Sequence, residues 1–252
     1  MAQIEAIVLG REELGHGRML LTLHAPELAT RVIPGQCVAL QIGASPLDPL
    51  LRVPIAISGA EPAGTLCLLF GGDDKVPPHR EGDRVDLLGP IGRGWRIDEH
   101  TRNILLMGTE AFLGALLFAA RVAIARGLSV TLLIGAREGG PALPASLAPP
   151  AVEYQFNRGP DAAAAALDLL DDSLLGWADA LYTTLGIADY PSLAARVRAG
   201  RVRWGPGFAH GLLVPPMACF VGICDVCIVP EARRTWRACV DGPQCDIRDF
   251  VR

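Results

Sequence analysis

The sequence predicts a β-barrel, then an α/β unit, then a small cysteine-rich C-terminal segment. Three observations predict it. Short apolar or alternating runs separated by turns fill residues 1 to about 100. A strand–helix–strand pattern runs from Asn103 to Ile134. Four of the seven cysteines then fall within the 21 residues from Cys219 to Cys239. A chain of 252 residues exceeds one typical domain, so two or three units are the natural expectation. We divide it at 1–100, 101–205 and 206–252.

In the first unit, residues 6–9, 19–23, 37–42, 66–70 and 85–88 are apolar runs bounded by turn signals such as Pro34-Gly35 and Glu81-Gly82-Asp83. Several short strands at such spacing predict a small barrel. Gly89-Pro90-Ile91-Gly92-Arg93-Gly94-Trp95 is a glycine-rich turn closing it. In the second unit, residues 103–107 read as a buried strand, 110–126 as a helix and 130–134 as a second strand, which together form a β-α-β unit with a parallel sheet. Residues 138–150 read as loop, 162–175 as helix, 180–184 as a short strand and 191–199 as a last helix. In the third unit, residues 228–229 and 237–240 are expected to pair back on each other.

Composition excludes several classes. Half the residues are hydrophobic, enough for a sizeable core. A net charge of −4 and the absence of a basic stretch argue against nucleic acid. The N-terminus lacks the basic-then-apolar pattern of a signal peptide. The long apolar region 104–136 carries Glu110, Arg121 and Arg126 and is punctuated by glycines, unlike a membrane span. A cytoplasmic location is expected. No residue reads as a general acid, base or nucleophile.

The cysteines carry the chemistry. Cys219, Cys224 and Cys227 have the spacing C-x4-C-x2-C, and Cys239 follows after eleven residues. That is the spacing of a plant-type [2Fe–2S] ligand set. Gly222 lets the loop turn its amides toward the sulfurs. Zinc and disulfide readings compete. Zinc sites commonly pair two C-x2-C units or add histidines, and here one C-x2-C stands alone, with no histidine after His210. Disulfides need an oxidising compartment, of which the sequence gives no sign. Cys245 is a spare thiol and a substitute fourth ligand, whereas Cys37 and Cys67 read as small buried residues.

This order of units, with Met217-Ala218-Cys219…Gly222…Cys224…Cys227, Cys239-Val240-Asp241-Gly242-Pro243, Pro34-Gly35-Gln36 and Leu88-Gly89-Pro90-Ile91-Gly92, resembles the electron-transfer subunit of NAD-linked dihydroorotate dehydrogenases of pyrimidine biosynthesis. That family lies in the ferredoxin-reductase-like group. The resemblance implies a barrel holding FAD, an α/β domain meeting NAD, and a cluster passing electrons to a flavin in a catalytic subunit. Arg52, Pro54, Ile55, Ala56, Gly89 and Gly92 are the positions it implies for the flavin. The chain departs from the pattern there. Where the family has Arg-Pro-aliphatic-Ser, this chain has Val53-Pro54-Ile55-Ala56, with Arg52 one position early. Asp73 and Asp74 replace a phosphate-binding turn, and Glu110 places negative charge in the turn that would meet nucleotide phosphate. The later Cys-Gly-Pro turn is replaced by Thr183-Thr184-Leu185-Gly186.

The expectation is therefore an oxidoreductase subunit holding [2Fe–2S] on Cys219, Cys224, Cys227 and Cys239. FAD binding is weakened and NAD(H) binding unlikely. A partner flavoprotein or other redox subunit would complete a hetero-oligomer, docking on the apolar segment 212–217. The alternative is a non-catalytic accessory or assembly subunit that keeps the cluster and has lost both nucleotides.

Overall fold

The computed structural model describes residues 1–43, 51–71, 77–140 and 147–251. Asp73 and Asp74 lie outside the described residues.

Six antiparallel strands close the barrel: β1 (Ala2–Gly15), β2 (Arg18–His24), β3 (Cys37–Leu40), β4 (Val53–Glu61), β5 (Thr65–Phe70) and β6 (Arg84–Ile91), in the order β1-β2-β5-β4-β3-β6. Alternation sets the faces. On β5, Leu66, Leu68 and Phe70 point into the barrel core while Thr65, Cys67 and Leu69 are less buried. Strand β4 was not among the predicted strands. Pro54 interrupts its apolar pattern, yet it sits second in the strand, where the ladder tolerates a missing N–H. A one-turn helix, α1 (Pro26–Ala29), covers one end.

The second half is one six-stranded sheet. It contains β7 (Asn103–Gly108), β8 (Ser129–Arg137), β9 (Glu153–Gly159), β10 (Ala180–Thr183), β11 (Ala209–Leu212) and β12 (Gln244–Asp246), in the order β12-β11-β10-β7-β8-β9. All neighbours are parallel except the β11–β12 pair, which is antiparallel. Edge strands β9 and β12 escape sequence reading because half-burial and shortness leave them no apolar run. The helices are α2 (Leu113–Ala125), α3 (Ala162–Asp168), α4 (Asp172–Trp177) and α5 (Tyr190–Gly200). The expected helix over 162–175 is two helices. Asp161 caps the first through the Ala164 N–H, and Asp171 starts the second through the Leu174 N–H.

Helix α2 is buried on most of its surface because it packs on the sheet behind it and the barrel in front. Its Gly114 lies so close to β4 that an added Cβ would sit 2.6 Å from Ser58 Cβ. Arg121 Nη1 donates to the Ser58 carbonyl at 2.9 Å. One hydrophobic cluster accordingly includes Cys37, Ala39 and Ala56 from the barrel together with the core of the parallel sheet. Among the described residues no helix is long and apolar enough to cross a membrane.

Candidate functional site

The cysteine loop hangs between β11 and β12 of this sheet. Its return path is fixed by the antiparallel bridge Ile228↔Arg237, as expected. The Ala238 N–H donates to the Cys227 carbonyl, and Arg237 pairs with Asp225. One close thiol pair results: Cys227 Sγ and Cys239 Sγ lie 3.4 Å apart. Cys219 and Cys224 lie on either side of Gly222 in the same loop. Gly222 at φ +80° permits the turn between them.

Backbone amides converge on the sulfurs. Burial pushes the Cys219 thiol up, but amide N–H groups of Val221, Cys224 and Ile223 and the Cys224 side chain outweigh it and hold Cys219 down at about 6. Burial raises Cys239 to about 12, and its contact with Cys227 adds to the rise, while the Gly222 N–H works against it. Among the described residues no group of three or more His, Cys, Asp or Glu is arranged around a single ion. A [2Fe–2S] cluster asks for something else, two thiolates on each of two irons. The four cysteines lie on one loop and its return segment, with Cys227 and Cys239 in contact.

Cys245 is not part of the loop. It lies buried on β12 with its Sγ 3.6 Å from Tyr190 Oη, and burial pushes it up to about 12. This placement argues against the less favoured alternative, Cys245 in place of Cys239. The apolar run 212–217 is also not a docking face, because Leu212, Leu213 and Met217 are buried in the core. The exposed apolar side chains of the loop are Val221, Ile223, Val226 and Val240, with Ile223 81% exposed. Sequence periodicity could not separate these two sets, since both lie in irregular chain.

The residues implied for the flavin are scattered. Pro54, Ile55 and Ala56 line a cleft between β4 and the start of α2. Its free space is only about 30 Å³. Arg18 Nε and Glu110 Oε1 meet across it at 2.8 Å, and Arg18 is almost fully buried. Phe112, left-handed at φ +53°, lines the same cleft. Arg52 is engaged elsewhere, paired with Asp86 on β6. Gly89 packs on Val38, and Gly92 packs on Gly242 and Pro243 of the C-terminal segment. These residues do not fit a bound FAD. The partnership of Arg18 with Glu110 joins residues 92 apart in sequence, so no local signal could have revealed it.

No protein-family model matches the chain. Curated relatives do. The chain is 25% identical over its full length to a Bacillus cereus protein named "Dihydroorotate dehydrogenase B (NAD(+)), electron transfer subunit", covering 99% of it. It is 26% identical to the protein of that name from Shouchella clausii, over 86% of each chain. A third, from Desulforamulus reducens, is 33% identical over 45% of each chain. The chain is a homologue of these electron-transfer subunits. Among solved structures, a NADH-dependent reduced ferredoxin-NADP oxidoreductase superposes at TM-score 0.77, with 19% identity, over 97% of this chain and 88% of that one. Phthalate dioxygenase reductase superposes at 0.60, with 16% identity, over 83% and 67%. The closed barrel followed by the parallel sheet is therefore the ferredoxin-reductase-like fold.

Proposed function

We propose that this homologue of the dihydroorotate dehydrogenase electron-transfer subunits holds a [2Fe–2S] cluster on Cys219, Cys224, Cys227 and Cys239 and hands electrons to a partner redox protein. The observation that supports the reading is the C-x4-C-x2-C spacing on one loop, with its third cysteine, Cys227, 3.4 Å from the fourth, Cys239. When bound, the cluster would supply a one-electron redox centre. The chain's own residues hold Cys227 beside Cys239, offer loop amides that would tune the sulfurs, and exclude water from Cys227 and Cys239 by burial. The proposal includes the division into a barrel at 1–100, an α/β unit at 101–205 and a cluster segment at 206–252.

Val221, Ile223, Val226 and Val240 surround the loop with exposed apolar surface. The partner docks there and covers the exposed Cys224. A flavoprotein is the partner that the relatives' names favour, and the cytoplasm is the compartment that suits an oxygen-sensitive centre. The cleft closed by Arg18 and Glu110 favours a relay that works without FAD or NAD(H) of its own. Within the broad electron-transfer role, it is the specific observation on the side of the accessory-subunit reading.

Anaerobic purification with iron, sulfide and zinc analysis tests the cluster. Equal iron and sulfide at two per chain is expected, with the content falling severalfold in Cys224→Ser. Zinc without sulfide overturns it. Acid release of flavin from the same sample should give far less than one FAD per chain, and stoichiometric FAD would restore the full reductase reading. Ile223→Glu should keep iron content unchanged while weakening co-purification of the partner from the native host.

A further inference from the structure

The cleft between barrel and sheet is filled by the chain itself. Its walls come from β4, the end of β5 and the start of α2. Its free space of about 30 Å³ has room for about two waters. A ligand pocket typically holds about 300–1,000 Å³. Arg18 enters from β2 of the barrel, and Glu110 from the turn between β7 and α2. Their Nε and Oε1 meet at 2.8 Å, with the Arg18 side chain 2% exposed and Glu110 32%. Gly71, just past β5, lies against both. A Cβ there would sit 3.5 Å from Arg18 Cγ and 3.6 Å from Glu110 Oε1.

The turn that delivers Glu110 is unusual. Phe112 lines the same cleft at φ +53° and ψ 24°, a region that bulky residues rarely adopt. The Ala111 N–H donates to Thr109 Oγ1 and the Leu113 N–H to the Glu110 carbonyl, both at 3.3 Å. Immediately beyond, Gly114 brings α2 against Ser58 of β4. A strained residue persists only where its surroundings over-determine it. Here the ion pair holds one side of the turn, and the α2–β4 contact holds the other. A guanidinium so deeply buried is tolerated only with a close anionic partner.

We propose that the Arg18–Glu110 pair is an internal plug. It stands among the positions implied for a flavin, and it joins barrel to sheet with no nucleotide between them. Arg18 and Glu110 are positioning residues: they fix the start of α2, and through α2 the parallel sheet, against the barrel. The inference rests on the reading of this cleft as closed to FAD, and it is independent of the cluster.

The test is a double-variant cycle on the intact chain, with Arg18→Met, Glu110→Leu and the two together. Each single variant should lower the melting temperature by several degrees. The double variant should lose clearly less than the sum, because the contact between the two is lost only once. Hydrogen exchange read by mass spectrometry should speed up severalfold in Glu110→Leu over residues 18–24 and 109–117, with 190–200 unchanged. Asp168→Asn, which breaks the exposed pair to Arg196, is the control and should change neither readout. Submillimolar FAD should leave the wild-type melting temperature where it is. Additive losses, unchanged exchange beside the pair, or equal effects in the control overturn the joint and leave the flavin-free reading standing. A rise of several degrees with FAD overturns both. None of these readouts needs iron, so the cluster proposal can fail without affecting this result.

Discussion

At the scale of single residues, two positions show how backbone and proton chemistry constrain the candidate site. Gly222 sits at φ +80°, and an added Cβ would lie 2.7 Å from Val240 Cγ2. Gly222→Val should therefore cost about 1–2 kcal/mol in backbone strain alone, and more from the contact. Iron retention on gel filtration, compared with wild type, checks it. His210 is held neutral. Its Nε2–H donates to the Gly207 carbonyl at 2.8 Å, its Nδ1 accepts from Gln244 Nε2 at 2.8 Å, and its ring stacks on Tyr182. Burial lowers its pKa below 6.5, with Asp246 opposing. A base depressed in the fold binds fewer protons folded than unfolded. Its stabilising contribution is therefore complete above pH 6.5 and is lost as pH falls from 6.5 through the folded value. Melting temperatures between pH 5 and 7.5 should fall less steeply in His210→Gln than in wild type. An identical slope would exclude His210 as the source.

At the scale of elements, close approach decides what the chain tolerates. A Cβ added to Gly135 on β8 would lie 2.0 Å from the Ala162 carbonyl oxygen and 2.3 Å from the Ala166 N, both on α3. Gly135→Ala should push that helix from the sheet and cost about 1–3 kcal/mol or more, read as a lower denaturation midpoint with the m-value unchanged. Elements with strong periodicity were legible in the sequence: most barrel strands, β7, α2, β8 and α5. The edge strands were not, because half-buried polar residues on β9 resemble a loop. Strand β4 was not read as a strand, since Pro54 interrupts its apolar pattern and its residues include positions implied for the flavin. The return of the cysteine loop was legible, since residues 228–229 and 237–240 were expected to pair and Ile228 bridges Arg237. The Arg18–Glu110 contact was not, because it is made by tertiary packing.

At the scale of the whole molecule, barrel and sheet share one apolar interior through α2, and Trp95 donates from Nε1 to the Gly211 carbonyl at 3.4 Å. The two halves should unfold together. Tryptophan fluorescence and far-UV circular dichroism should give coincident transitions in denaturant, and two separated transitions would show the halves to be independent. The cysteine loop joins the same interior through Met217, Phe220, Cys227, Trp236 and Cys239. Its ends are strands β11 and β12, paired in register at His210↔Asp246, Gly211↔Cys245 and Leu212↔Gln244. The segment proposed to receive the cluster therefore closes on an anchor built from ordinary backbone hydrogen bonds. On that proposal, iron and sulfide would not have to drive the folding of the chain, and loss of the inorganic core would leave a folded receptor, with Cys224 at its surface, that can be refilled.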